Sequence, residues 1–185
     1  MYNLSMEIVK APDRILSQPA KPVATITKPV IDIIEAMQKT LLSAKEPEGV
    51  GIAAPQIGKP LRIFIMKPTP TSPITVFINP QVTVLAELTE DQKPKPAKEQ
   101  LEGCLSLRNI WGTVKRAPKV TVTYQDELGK EHTKTFIKFS ATIIQHEFDH
   151  LNGILFPKRV LEQNGTLYKS KKDKNGKEIF EELDL

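Results

Sequence analysis

The chain has 185 residues, enough for one domain whose core needs no covalent staples. Hydrophobic residues make up 39% and charged residues 26%, ordinary values for a globular protein, and a single cysteine excludes an intramolecular disulfide scaffold. The formal net charge is +4, but the most charged stretch cancels itself: residues 166–177 carry +4 and residues 178–185 carry −4, which argues for a solvated turn rather than a nucleic-acid surface.

Met1 to Lys10 mixes Asn3, Glu7 and Lys10 with apolar residues and has no signal-peptide core. No apolar run approaches the roughly 20 residues that span a bilayer, so the expected location is cytoplasmic, where a free thiol is also at home. Residues 11–26, with Pro12, Pro19 and Pro22, read as an irregular entry segment. A proline early in a helix costs nothing, and Val30, Ile33, Ile34, Met37 and Leu41 recur at helical spacing, which predicts an amphipathic helix over about 28–43. Residues 48–58, rich in Gly, Ala and Pro, predict an extended strand with close backbone neighbours. Strands follow at Leu61–Met66, Thr75–Asn79 and Gln81–Leu85, the last two separated by Pro80. Asp91–Glu99 reads as an exposed loop. Lys119–Tyr124 alternates and pairs with Glu131–Ile137 across Glu127-Leu128-Gly129-Lys130, a hairpin pattern. A second helix spans about 139–151, stopped by Asn152-Gly153. After Pro157 the pattern weakens, leaving one domain over 1–157 and a polar tail over 158–185. In that tail Thr166–Tyr168 and Glu178–Phe180 could form a small hairpin. Strands with one early and one late helix give an α+β fold, mostly antiparallel.

The late helix carries His146-Glu147-Phe148-Asp149-His150, an H-E-x-x-H pattern. Residues four apart share a helical face, so both imidazoles can reach one metal ion. Glu147 lies about 100° round the helix, able to address a water on that ion without ligating it. The stripe Phe139, Ile143, His146 and His150 makes the metal face also a core-facing face. A catalytic site of this kind wants a third protein ligand and one open position. No histidine follows His150; Glu162, Glu178, Glu181 and Glu182 do, but in the polar tail. Upstream stands the lone Cys104, beside Gly103, at what reads as the start of a strand after the Pro/Lys-rich loop.

Three blocks now stand in order: Gly49-Val50-Gly51-Ile52-Ala53-Ala54-Pro55-Gln56, Glu102-Gly103-Cys104-Leu105-Ser106 and Gln145-His146-Glu147-Phe148-Asp149-His150. Together they resemble the three signature motifs of peptide deformylases, and Pro12-Asp13 with Lys21-Pro22-Val23 resembles that family's N-terminal stretch. The resemblance covers most of residues 6–157. It implies an enzyme that removes the formyl group from N-formyl-methionine of nascent polypeptides. The implied metal ligands are Cys104, His146 and His150, holding one divalent ion, Fe²⁺ natively, with Zn²⁺, Ni²⁺ or Co²⁺ as substitutes. The implied catalytic groups are Glu147 as general base and then acid, with the Gln56 amide and the Leu105 backbone N–H holding the oxyanion. Gly49, Val50, Gly51 and Gly103 would dock the substrate, and Val50, Phe139, Thr142, Ile143 and His146 would wall the methionine pocket. Hydroxamate inhibitors are expected to chelate the ion.

The chain departs from the family at Lys138, where many members have glycine, at Thr142, at Leu107-Arg108, and near Trp111, where an arginine is common. The tail shows no long C-terminal helix of the kind some relatives dock on the ribosome, so docking through such a helix is not implied; a transient ribosome contact is the expectation. Two rival readings remain. One is a metallopeptidase with a ligand downstream of His150. The other is a deformylase-like chain of lapsed activity kept for binding the ribosome or another partner.

Overall fold

The computed structural model describes residues 5–45, 48–84 and 101–183. The expected Asp91–Glu99 loop and Leu85 lie outside these residues. The first element is a 3-10 turn at Arg14–Ser17, capped by the Asp13 side chain on the Ile15 N–H. Helix α1 spans Lys28–Ser43, as its apolar spacing predicts, with Pro29 in its first turn. Strand β1 is short, Gly51–Ala53, and passes directly into a 3-10 turn at Ala54–Ile57. The strand expected over the whole of 48–58 is therefore cut short: Pro55 starts a helical turn, and Gly58, at φ +74°, ends it.

Strands β2 (Ile63–Met66) and β3 (Thr75–Val84) follow. Pro80 does not split β3 in two, as expected, but sits in a register shift between Ile78 and Gln81. A bulge leaves one residue outside the ladder, which is where a residue without an N–H fits. The neighbouring Asn79, at φ +51°, uses its side chain to accept from Val23 N–H and donate to Val23 O. Strands β4 (Leu101–Cys104) and β5 (Leu107–Thr113) form a tight hairpin. Cys104 thus ends a strand instead of starting one. Strands β6 (Lys119–Gln125) and β7 (Glu131–Ile137) form the expected hairpin, in full register. Helix α2 is Lys138–Leu151, followed by helix α3 (Phe156–Glu162) and strands β8 (Leu167–Lys172) and β9 (Glu178–Glu182).

The strands make two antiparallel sheets, β1-β2-β3-β6-β7 and β4-β5-β8-β9. The larger is covered on both faces, which explains the unbroken apolar run of β2. Ile63 and Ile65 pack with Val30, Ile34, Met37 and Leu41 of α1. Phe64 and Met66 point the other way and pack with Ala141, Ile143 and Ile144 of α2. Helix α2, the carrier of both histidines, is thereby pressed against a sheet. Its end is held by Ala20 N–H donating to Leu151 O, and Gly153, at φ +70°, has room for no Cβ against the backbone of Ser17 and Gln18.

The third core cluster joins Cys104, Phe156, Val160 and Leu167. Residue 157, the expected domain boundary, falls inside α3, and β8 pairs with β5 through Ile110↔Lys169, Trp111↔Tyr168 and Gly112↔Leu167. Pro157 opens a helix here, and the residues beyond it extend the smaller sheet as a hairpin. No described helix is long and apolar enough to cross a membrane.

Candidate metal centre

The ligand atoms of Cys104, His146 and His150 lie within 4.8 Å of one another, and they are the only such group of His, Cys, Asp or Glu among the described residues. That is close enough to converge on one ion taking ligands at about 2.0–2.3 Å. His150 presents Nε2 to Cys104 Sγ at 3.3 Å. His146 is oriented from behind: its Nδ1 meets Glu102 Oε1 at 2.6 Å, leaving Nε2 for an ion. Glu102 is itself gripped by Arg116, through Nε at 3.0 Å and Nη2 at 2.7 Å. Arg116 also reaches Asp149 at 2.6 Å, and Arg159 of α3 reaches the same carboxylate at 2.7 Å. Two carboxylates of the tail are engaged elsewhere: Glu162 pairs with Arg159 and Glu181 with Lys171.

The electrostatics suit a cation. Burial alone would raise the Cys104 thiol, but His150 and His146 beside it hold it down at about 5, so the sulfur is available as a thiolate. The Ser106 N–H at 3.4 Å and the Gln56 amide at 3.6 Å also point at this sulfur. Burial would lower His146, but the Cys104 and Glu102 charges push it well above its ordinary value. Burial would raise Glu102, yet its bonds to His146 and Arg116 bring it down to about 2. One thiolate and two imidazoles converging within 4.8 Å, with a carboxylate behind one of them, form a set that fits a divalent ion of borderline softness.

Glu147 is 3% exposed, and burial pushes its carboxyl up to about 7. Its Oε2 is buried with no hydrogen-bond partner among the described residues, as is His150 Nδ1. A Cβ on Gly51 would sit 2.5 Å from Glu147 Oε1 and 3.0 Å from its Cδ and Cγ. The glycine of β1 and the carboxylate of α2 therefore touch face to face. Gln56 is buried and fixed at both ends: Oε1 accepts from Ala53 N–H at 2.8 Å, and Nε2 donates to Ser106 Oγ at 3.2 Å.

Residues 5–165 match the polypeptide deformylase family. The chain belongs to the peptide deformylase family. It is 37% identical over 147 residues to a peptide deformylase of Pseudothermotoga lettingae, spanning 78% of this chain and 76% of that one. Among solved structures it is similar to a Synechococcus elongatus peptide deformylase in complex with actinonin (TM-score 0.73, 34% identity), covering 89% of this chain and 85% of that one. It is also similar to a Met-Ala-Ser-bound class I type b peptide deformylase from Acinetobacter baumannii (TM-score 0.72, 33% identity), covering 85% and 99%. These solved deformylases share the α+β, antiparallel design described above.

The remaining motif residues have varied surroundings. Gly49 packs on α1, where a Cβ would meet Leu41 Cδ1 at 2.8 Å and Leu41 O at 2.9 Å, so its lack of a side chain serves packing. Val50 is partly buried against the cluster that includes Ile143, and Thr142, the residue before Ile143, is half-buried. Phe139 departs from expectation: the core-facing stripe does not extend to it, and it is 45% exposed. Lys138, just before it, sits at φ +54° where β7 turns into α2, and this geometry is what a glycine would supply without strain. Gly103 lies under Trp111, whose ring a Cβ there would approach to 2.7 Å. Glu102, Ser106, Arg116 and Asp149 support the site although their roles were not read in the sequence. The only local hint is that Glu102, Ser106 and Asp149 lie inside the two metal motifs.

Proposed function

We propose that this site hydrolyses the formyl amide of N-formyl-methionyl peptides, giving formate and a free α-amine. The observation that carries the reading is the convergence of Cys104, His146 and His150 beside a buried Glu147 and a doubly anchored Gln56. The three ligands would hold one divalent ion, Fe²⁺ in the native protein, with Zn²⁺, Ni²⁺ or Co²⁺ able to replace it. When bound, such an ion supplies Lewis acidity, lowering the pKa of water and polarising the formyl carbonyl.

The protein supplies the rest. Glu147 takes a proton from the attacking water and delivers it to the departing nitrogen as the C–N bond breaks. Its carboxyl is buried beside His146, His150 and Cys104, and burial pushes it up to about 7, a range that suits a group that both takes and gives a proton. Gln56 Nε2 and the Leu105 N–H hold the oxygen that becomes anionic on the formyl carbon. Gln56 is preorganised for this, since the Ala53 N–H fixes which end of its amide faces Cys104.

Strands β1 and β4 are edge strands of their sheets, so Val50–Gly51 and Gly103 can pair with an extended peptide through main-chain bonds that ignore side chains. Selectivity then falls on the methionine pocket, walled by Val50, Thr142, Ile143 and His146, with Phe139 at its mouth. Nascent chains in the cytoplasm would be the substrates, met through transient ribosome contact. Hydroxamates would compete by chelation.

The test is formate release from formyl-Met-Ala-Ser by anaerobically purified, Fe²⁺- or Ni²⁺-loaded protein. Chelation abolishes it, and Glu147→Ala lowers kcat by about 10²–10⁴-fold while metal stays bound. A metal-loaded wild type that releases no formate overturns the reading.

A further inference from the structure

Three consecutive residues near the N-terminus reach the two loops that carry the oxyanion donors. Val9 N–H donates to Gln56 O at 2.8 Å, Lys10 Nζ donates to Leu105 O at 2.6 Å, and Ala11 N–H donates to Ser106 O at 3.1 Å. Gln56 and Leu105 belong to different sheets' loops, separated by 49 positions in the chain and joined here by one short strap. The strap also secures the Gln56–Ser106 side-chain bond, because it holds the backbones of both partners. Lys10 is its only side-chain contact of the three. Its ammonium lies on the peptide that follows Leu105, within electrostatic reach of Cys104, Glu7 and Arg108.

We infer that Val9–Ala11 is a positioning strap for the oxyanion donors, and that Lys10 is its positioning residue. This rests on the reading of Gln56 and Leu105 given above. The Lys10 bond restrains the turn Leu105–Ser106, so the Leu105 N–H keeps its aim without substrate, and the cation adds a fixed positive charge on the side where negative charge develops. Lys10 touches neither metal ligands nor substrate in this scheme and acts only through Leu105.

The test compares wild type, Lys10→Met and Lys10→Arg, each metal-loaded, with formyl-Met-Ala-Ser. Lys10→Met is expected to lower kcat roughly tenfold with KM within about twofold and metal content unchanged, a part of the 10²–10³-fold that one oxyanion donor is worth. Lys10→Arg, keeping donor and charge, recovers most of the loss. An unchanged kcat in Lys10→Met overturns the inference, as does a raised KM at constant kcat, or a loss matched by lost metal or lowered Tm. A second readout is independent of activity. In ¹⁵N-labelled, Zn²⁺-loaded protein the Leu105 and Ser106 amide resonances shift in Lys10→Met, and unshifted resonances overturn the strap even if wild type proves inactive, an outcome that would instead count against the proposed reaction.

Discussion

Gly51→Ala tests the contact between β1 and the proposed base. The added Cβ would stand 2.5 Å from Glu147 Oε1 and 3.0 Å from Cδ and Cγ. Ordinary carbon–oxygen contact begins near 3.4 Å, so the carboxylate must retreat by about 1 Å. Glu147 is 3% exposed, and its Oε2 has no hydrogen-bond partner among the described residues to redirect it. The thermodynamic cost is that of modest overpacking, about 1–3 kcal/mol, because a side-chain end can yield where backbone cannot. The catalytic cost is larger. A misplacement of ~1 Å is worth about 10²-fold in rate, or roughly 2.7 kcal/mol of barrier. The assay is kcat and KM for formyl-Met-Ala-Ser with metal content measured on the same sample. The expected result is kcat down about 100-fold with the metal retained, since Cys104, His146 and His150 are untouched. A variant with kcat within threefold of wild type would refute the reasoning, and a rise in KM alone would assign Gly51 to substrate docking only.

Asp149→Asn weakens a buried carboxylate held between Arg116 and Arg159, and leaves Arg116 under-compensated; a stability loss of about 3 kcal/mol, or about 10 °C in Tm, is expected by thermal melting. Lys138→Gly removes a side chain from a φ of +54°. Relief of about 1–2 kcal/mol outweighs the flexibility gained by the unfolded chain, so Tm should rise by 1–2 °C, and a fall would count against strain at that position. The His132 bond holds the Asp126 carboxyl below its ordinary 3.8. Its contribution to stability is therefore full above that value and disappears as pH falls through the folded pKa. Carbon-detected NMR should show this low titration, and acid melts of Asp126→Asn should lack the corresponding step. Cys104→Ala should bind no stoichiometric metal, whereas replacing Glu178, Glu181 and Glu182 should leave binding intact; the opposite pattern would restore the metallopeptidase reading.

The elements that were legible in the sequence are those whose burial is one-sided and regular. Helix α1 has a single apolar stripe, and β6 alternates Val120, Val122 and Tyr124 inward with threonines outward. The convergence of His146 and His150 was legible because four-residue spacing is itself a geometry. Illegible elements had causes that lie far along the chain. Strands β4 and β5 contain Gly103 and Gly112, which weaken any strand pattern. Both are explained only by what packs on them: the Trp111 ring on one, and Val160, Leu167 and Phe156 on the other. Helix α3 was hidden because Pro157 reads as a stop, although a first-turn proline starts a helix as readily. The Glu102 bond to His146 spans 44 positions, and no local pattern announces it.

The tail shows how a correct count can still be read too simply. Its cancelling charges pointed to a solvated segment, and cancellation within a segment does suit one. The fold uses the same charges as a pairing code. Lysines populate β8 and glutamates β9, the register sets Lys169 opposite Glu181 and Lys172 opposite Glu178, and Lys171 makes an ion pair with Glu181. A strand with charges on both faces would not dock alone. Here Leu167 enters the core beside Cys104, and buried Ser170 accepts from the Trp111 indole N–H at 3.1 Å, with Phe180 edge-on to the same ring. Trp111 in turn covers Gly103, the residue before Cys104 of the candidate metal centre. The polar hairpin supplies the acceptor and the aromatic edge that the Trp111 indole requires. Trp111 and the polar tail are therefore one feature: an aromatic brace behind β4 that needs β8 and β9 to stand.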